Sequence, residues 1–395
     1  MLLRASQNMA QTTFPLLAGV LLHLSAGTVG VVAAAGSLVS IGAMSLGATR
    51  IPPERAPIAM AGSLVLLAAA FPLIGTARGS ASLTLGVLVL GVAGGLAFPT
   101  LISQVGAGEG GTAPGMRDRP IALLTVALSA SLAVGPFAEG LILTASHGDL
   151  RSAFFWFALA PLAAAGAIAI FPRARARARD AAAGAAAPAA GSRVGLRQAL
   201  RDPDFTVALL GQLFYAAPFA ALIVFGALFA RRDDGLSPSA IQVMFGVFFG
   251  VSLLVRLLIA WRSPVRRKLR WFRVSAGLTC LGLLVLATGR GEAALLVAMA
   301  LLGAPHGLTF PLAMALVAER RPRLELISLN AHLTASVQAV NLILPPVIGI
   351  GIDRLGYRPM LLTLLIPVAA AALAQNRVSG RLGAGDPRGR PGDET

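Results

Sequence analysis

The chain has 395 residues, of which 56% are hydrophobic and 13% are charged, and its mean hydropathy is +0.77. This composition excludes an ordinary soluble globular protein, because apolar runs near the ~20 residues that cross a bilayer recur along the whole length. The net charge of +16 does not indicate nucleic-acid binding, since the basic residues lie between the apolar runs and not on a basic face with interleaved aromatic residues.

Twelve apolar segments, termed spans 1 to 12, predict an all-α integral membrane protein. They cover about residues 5–22, 28–48, 57–76, 82–104, 120–143, 152–172, 205–229, 240–261, 273–289, 293–317, 327–350 and 358–376. An even number of spans places both termini on one side, where 25 Lys and Arg residues fall, against 7 on the other side and one, Arg256, within a span. The positive-inside rule therefore predicts a cytoplasmic (plasma) membrane protein with both termini in the cytoplasm.

The second half of the sequence repeats the first half. Positions 76–99 share 11 identities over 24 positions with the stretch that lies 212 residues later, and the centre of the match is LGVAGGLAFP against LGAPHGLTFP. The repeat predicts two parallel six-helix halves at residues 1–172 and 204–376, joined by a basic cytoplasmic linker at 173–203 and followed by a disordered cytoplasmic tail at 377–395. The paired glycines Gly91 with Gly95, and Gly303 with Gly307, are expected to let neighbouring helices approach closely.

Span 1 is polar in its first half and begins almost at Met1. Its repeat partner, which begins at Asp204, has several more residues at the corresponding end, so we expect the true start to lie upstream of Met1. A cleaved signal peptide is the alternative, but the polar residues of span 1 leave no apolar segment of the required kind.

Three short motifs lie in or next to the spans, namely Gly135, Pro136 and Gly140 in span 5, Gly148, Arg151 and Phe154 at the entry to span 6, and Gly356, Tyr357 and Arg358 at the entry to span 12. These motifs resemble those of the Major Facilitator Superfamily. The loop after span 2 departs from the family pattern, since Gly47 and Arg55 fit but Ile51 stands where the family has Asp. That departure leaves the family's cytoplasmic charge lock without support in the first half.

The resemblance implies a fold in which spans 1, 4, 7 and 10 line a central cavity and the two halves rock about a site near the middle of the bilayer. It implies alternating access of a small-molecule substrate without a cofactor. We also expect a monomer whose basic loops meet anionic lipid headgroups, and no nucleic-acid partner.

Two of the titratable side chains inside the spans are candidates for proton coupling. Glu139 is the only carboxylate within a predicted span, and a charge buried in lipid must be neutralised, paired or solvated. A solvated mouth or a hydrogen bond between helices explains it equally well. His306, in the middle of span 10, replaces the repeat equivalent Gly94 and can exchange a proton or contact a ligand. The alternative is a neutral histidine hydrogen-bonded between helices.

Neutral polar residues in several spans are candidates for substrate binding, and hydrogen bonding between helices is the alternative for each. The full candidate set is Asn8, Gln11, Gln212, Tyr215, His306, Gln338 and Asn341. A second set has predicted gating or structural roles and comprises Arg55, Gly135, Pro136, Arg256 and Arg267. Arg256 is also explained by snorkelling of its side chain to the cytoplasmic surface.

No catalytic constellation is present in the sequence. It has no phosphate-binding loop, no His/carboxylate metal cluster and no nucleophile near a base, and its single cysteine, Cys280, excludes internal disulfides and cysteine-based metal sites. We therefore expect no enzyme and no metal site, but a secondary transporter of a small organic solute that is proton-coupled. The Gly135-Pro136 element favours export. The alternative is a transport-inactive membrane sensor or scaffold.

Overall fold

The computed structural model describes residues 2–51, 55–107, 118–170, 194–261, 267–318 and 323–385. Within these ranges the chain is helical and contains no strand. The helices, numbered here in chain order, are α1 Leu2–Leu16, α2 Ala26–Arg50, α3 Ala56–Gly75, α4 Ser80–Ala107, α5 Asp118–Ala145, α6 Leu150–Phe157, α7 Leu159–Ile170, α8 Leu196–Ala199, α9 Pro203–Arg232, α10 Pro238–Trp261, α11 Lys268–Thr288, α12 Gly291–Ala318, α13 Arg323–Leu355, α14 Tyr357–Thr363 and α15 Leu365–Gly385. A π-helical segment, Leu17–Leu21, continues α1 after Pro15.

Eleven candidate membrane spans, long and apolar enough to cross a bilayer, lie in the described part of the chain, which confirms an integral membrane protein of α-helices. Span 1 is the predicted span that is missing from this set, since α1 has only 15 residues, too few to cross the bilayer core by itself, and is also polar. Spans 6 and 12 are each built from two consecutive helices, α6 with α7 and α14 with α15.

The last helix differs from the sequence prediction. α15 extends to Gly385, so residues 377–385 are helical and the expectation of an irregular tail from residue 377 is wrong for this segment. The physical reason is that the segment QNRVSGRLGAG continues the helix without a proline to end it. Residues 386–395, and residues 173–193 of the predicted linker, lie outside the described residues. The described end of the linker contains the short helix α8.

The helices form two compact units. Unit 1 contains the described residues below 190 together with Ile223–Gly246 and Pro345–Asp353. Unit 2 contains the described parts of Ala190–Leu222, Val247–Leu344 and Arg354–Thr395. The unit boundaries therefore fall inside α9, α10 and α13, and not at the predicted linker alone.

Unit 1 is held together by α4, which packs along both α2 and α3. A Cβ atom at Gly91 of α4 would collide with the carbonyl oxygen of Gly36 in α2, so only glycine permits this approach. A carboxylate also joins the unit at the start of α2, where Asp353 accepts hydrogen bonds from the backbone N–H groups of Ala26 (2.9 Å) and Gly27 (2.8 Å).

Unit 2 repeats the glycine contact. A Cβ at Gly303 of α12 would collide with the carbonyl oxygen of Phe248 in α10, and both residues lie 212 positions after Gly91 and Gly36. The predicted close approach of helices at the paired glycines is therefore confirmed in both halves of the sequence.

Candidate functional site

In unit 1, the carboxyl group of Glu139 is buried between helices. Its side chain is 0% exposed, and its Oε2 atom lies 3.3 Å from the hydroxyl of Thr12 on α1. Its Oε1 atom makes no hydrogen bond among the described residues. Gly135, one turn earlier on α5, allows α1 to approach, since a Cβ there would lie 3.1 Å from the carbonyl oxygen of Ala5.

The Thr12 hydroxyl lies within reach of three hydrogen-bond acceptors but has only one proton to donate. Its hydroxyl oxygen lies 3.1 Å from the carbonyl oxygen of Asn8 and 3.0 Å from that of Met9, both in the preceding turn of α1. The hydroxyl can donate to a carboxylate at Glu139, or it can donate to a helix carbonyl and accept a hydrogen bond from a carboxylic acid at Glu139. The pair is therefore compatible with both protonation states of Glu139.

Asn8 satisfies a backbone carbonyl that Pro136 leaves free. Pro136 lies inside α5 and has no N–H to donate to the carbonyl of Leu132. The side-chain amide of Asn8, which is 3% exposed, donates to that carbonyl at 3.1 Å. Proline is tolerated at this depth because a neighbouring helix supplies the missing donor.

In unit 2, His306 is surrounded by aromatic rings. Phe219 stacks on its imidazole with 4.8 Å between ring centroids and 19° between planes, and Phe248 and Tyr215 lie at 5.2 Å and 5.7 Å. Its Nδ1 atom is 2.8 Å from the hydroxyl of Ser252, which fixes the orientation of the ring. Its backbone carbonyl accepts a hydrogen bond from the Arg256 guanidinium at 3.3 Å.

Two buried polar atoms beside this aromatic cluster make no hydrogen bond among the described residues. They are the Tyr215 hydroxyl and the Gln212 amide nitrogen, on side chains that are each 5% exposed. The two residues are one helical turn apart on α9 and so lie on the same face of that helix. Buried polar atoms of this kind cost free energy unless a partner satisfies them, so the pair is suited to bind a ligand.

A model of the Major Facilitator Superfamily matches residues 111–326. The chain belongs to the Major Facilitator Superfamily. No curated protein matches it in sequence.

Solved structures of Major Facilitator transporters share the fold. The nucleoside transporter NupG is 14% identical with a TM-score of 0.71, and the alignment covers 96% of each chain. A mutant of the peptide transporter POT is 12% identical with a TM-score of 0.75, covering 97% of this chain and 93% of that one. A bacterial homologue of the human lysosomal transporter Spinster is 14% identical with a TM-score of 0.64, covering 96% and 95%. Together the family and the fold establish a multi-pass secondary transporter that binds a small-molecule substrate.

Several predicted residues of this Major Facilitator protein come together. Glu139, Asn8, Gly135 and Pro136 meet at the contact of α1 with α5, and Tyr215, His306 and Arg256 meet in unit 2.

Other predicted residues lie apart from these clusters. Gln11 has an exposed side chain, and the amides of Gln338 and Asn341 bond each other at 3.3 Å on α13. Arg55 and Arg267 are exposed, and Arg267 precedes α11 with a left-handed backbone (φ 56°).

The sequence did not identify Thr12 as the partner of Glu139 or Ser252 as the partner of His306. Also missed were the rings around His306, which are Phe219, Phe248 and Phe249, and the buried amide of Gln242. One signal was available for the rings. Phe219 stands 212 residues after Gln7, so an aromatic residue replaces a polar one at this repeat position, while His306 replaces Gly94 at another. Gln242 carried a comparable signal, since it stands 212 residues after Gly30, and Val224 stands at the same offset from Thr12.

Proposed function

We propose that this Major Facilitator protein couples the movement of a small organic solute to protons through Glu139. The observation that carries the proposal is the fully buried carboxyl group with one oxygen on the Thr12 hydroxyl and the other without a partner among the described residues. A carboxyl group inside a membrane protein marks a functional site, since burying it without a role is costly.

The arrangement suits a group that gains and loses a proton during transport. Thr12 serves the charged and the neutral carboxyl group alike by redirecting its own proton to a carbonyl of α1. No side chain has to move far when the proton leaves. Alternating access then requires only that the two protonation states favour different conformations.

For the substrate, we propose a small organic solute with hydrogen-bonding groups, bound by Gln212, Tyr215 and His306. The support is the pair of buried polar atoms on one face of α9 beside the aromatic cluster. Asn8, Gln338 and Asn341 hydrogen-bond to protein groups, so they contribute to this site only if those bonds break during transport. Nucleoside and peptide transporters with the same fold illustrate solutes of this polarity, but at 12–14% identity they select no substrate.

The proposal also includes orientation and direction. The excess of Lys and Arg between the spans on one side supports a plasma-membrane protein with cytoplasmic termini, as a monomer whose basic loops meet anionic lipids. The Gly135-Pro136 element, positioned against α1, supports export. We also propose that the two six-helix halves of the sequence, 1–172 and 204–376, are the parts that move during transport.

The test begins with the purified full chain. Thermal unfolding is measured against a panel of neutral, cationic and anionic solutes at an acidic and a neutral pH, because a ligand that binds the folded state raises its stability. A solute that raises the unfolding temperature is then followed into proteoliposomes, with and without a proton gradient. We expect saturable flux that the proton gradient drives uphill, and weaker stabilisation by the solute in Tyr215→Phe and Gln212→Leu.

A folded protein that shows no flux for any solute, and that retains a stoichiometric partner in pull-down experiments, would support the sensor or scaffold alternative. Saturable flux that ignores the proton gradient would instead remove Glu139 from the coupling role and leave the transporter assignment in place.

A further inference from the structure

Another buried polar side chain of unit 1 lies on α10. Gln242 on α10 is 0% exposed, and neither its amide oxygen nor its amide nitrogen makes a hydrogen bond among the described residues. Glutamine buried in this way forfeits several hydrogen bonds that water would supply, and native proteins rarely tolerate that loss. The side chain therefore requires a partner in some state of the protein.

Gln242 lies where α10 meets α5. A Cβ atom at Gly140 would lie 3.6 Å from the Cβ of Gln242 and 3.7 Å from the carbonyl oxygen of Ser239, which is an ordinary contact distance. One turn away on each helix, the ring of Phe137 fills the space beside Gly246. The two helices thus run along each other at the level of Glu139, the residue next to Gly140 in sequence.

Two incomplete groups therefore lie at the same level of two packed helices. Among the residues that the structure describes, Oε1 of Glu139 and both polar atoms of the Gln242 amide make no hydrogen bond. Rotation about the side-chain bonds of either residue changes the direction of its polar end without moving a helix.

We propose that Gln242 is the second hydrogen-bonding partner of Glu139 and that it completes a coupling site formed by α1, α5 and α10. The inference rests on the proposed proton coupling through Glu139. An amide serves both states of a carboxyl group, since its N–H donates to a carboxylate and its carbonyl oxygen accepts from a carboxylic acid. Thr12 acts on Oε2 and Gln242 acts on Oε1, and Gln242 is a positioning residue that carries no proton itself.

Charged groups on the neighbouring helices are distant or already bonded. Arg4 of α1 is eight residues from Thr12, or about 12 Å along the helix, and Arg256 of α10 is fourteen residues from Gln242, or about 21 Å. Arg151 of α6 donates to the carbonyl groups of Gly75 and Ala77. α4 carries no titratable residue, and α5 has only Asp118 and Arg119 at its start besides Glu139. Among the described residues, hydrogen bonds and not ion pairs are therefore the polar contacts available to the Glu139 carboxyl group.

The test follows the proton directly and needs no substrate. Purified full-length protein in lipid is titrated while the infrared carbonyl stretch of a buried carboxylic acid is recorded, and Glu139→Gln identifies the band that belongs to Glu139. The variants Gln242→Leu, which removes both hydrogen-bonding atoms, and Gln242→Asn, which keeps the amide, are compared with the parent chain. The control is Gln375→Leu, which removes a buried amide from unit 2 that donates to the Val207 carbonyl at 2.9 Å.

We expect Gln242→Leu to change the frequency of the Glu139 band and to move its midpoint by about one pH unit, because a hydrogen bond to the charged carboxylate is stronger than one from the neutral acid, so that the two losses do not cancel. Gln242→Asn keeps the amide and should shift the midpoint less than Gln242→Leu does, and Gln375→Leu should leave the midpoint unchanged. Gel filtration and thermal unfolding establish that each variant is folded. If Gln242→Leu does not fold, Gln242→Met and Gln242→Asn carry the comparison.

The outcomes separate the two proposals. A band that disappears in Glu139→Gln, with the same midpoint in the parent chain and in every folded Gln242 variant, would overturn the role of Gln242 and leave proton coupling intact. A parent protein without any titrating band that depends on Glu139 would remove the proposed coupling function itself.

Discussion

The guanidinium of Arg151, at the start of α6, donates to the carbonyl oxygens of Gly75 and Ala77, each at 2.9 Å. Arg358, at the start of α14, donates in the same way to Ala287 and Gly289, the residues that follow Gly75 and Ala77 by 212 positions. Each arginine thus satisfies carbonyls at the end of the helix that forms the third span of its half. Both arginines belong to the motifs that resemble those of the family, and in this structure each joins the start of one helix to the end of another.

Loss of this interaction is expected to destabilise the protein. Replacing Arg151 with Met should lower the free energy of unfolding by about 1.5–3 kcal/mol, because removal of the charged donor leaves two part-buried carbonyl groups without this hydrogen bond. Thermal unfolding of purified protein measures the loss. Arg78→Met is the control, since that side chain is exposed and should tolerate the change. Equal effects of the two substitutions would mean that the carbonyl contacts contribute little.

Asn8 and Pro136 should be coupled energetically. Asn8→Leu leaves the Leu132 carbonyl without a donor and should cost about 1–3 kcal/mol. Pro136→Ala returns an N–H that can bond Leu132 within α5, so Asn8→Leu should cost much less in that background. A double-mutant cycle measured by thermal unfolding gives the coupling energy. Strict additivity would show that Asn8 does not act through this carbonyl.

Glu139→Gln is expected to abolish proton-driven transport while solute exchange without a gradient continues. Glutamine keeps the size of the side chain and can still bond Thr12, but it cannot release a proton. Uptake into proteoliposomes with and without an imposed proton gradient distinguishes the two activities. Unchanged uphill transport in this variant would exclude Glu139 from coupling.

Thr12 offers a matched pair of variants for the same site. Thr12→Ser keeps the hydroxyl and should retain proton-driven transport, whereas Thr12→Val removes the hydroxyl at nearly constant volume and should impair it. The comparison is made in the same proteoliposome assay. If both variants transport equally well, the hydroxyl of Thr12 has no part in proton exchange.

The effect of replacing a glycine on stability should depend on whether that glycine lies at a contact between helices. Gly303→Ala places a carbon against the carbonyl oxygen of Phe248 and should cost about 1–3 kcal/mol. Gly250→Ala has nothing within 4 Å and should be neutral or stabilising by up to about 1 kcal/mol, since alanine favours a helix. Thermal unfolding of the two variants tests the difference. A neutral Gly303→Ala would indicate that α10 and α12 can separate without loss.

Sequence alone determined the class of the protein, its division into spans and its internal repeat, because these depend on apolar run length and on residues compared at a fixed offset. It also identified Glu139 and His306 as candidates for proton coupling, because carboxyl groups and histidines are rare within the spans. It could not predict that Thr12 would reach Glu139, that Asn8 would compensate for Pro136, or that Gln242 would be buried beside α5. Those relationships depend on the rotation and register of packed helices, which only the tertiary structure decides.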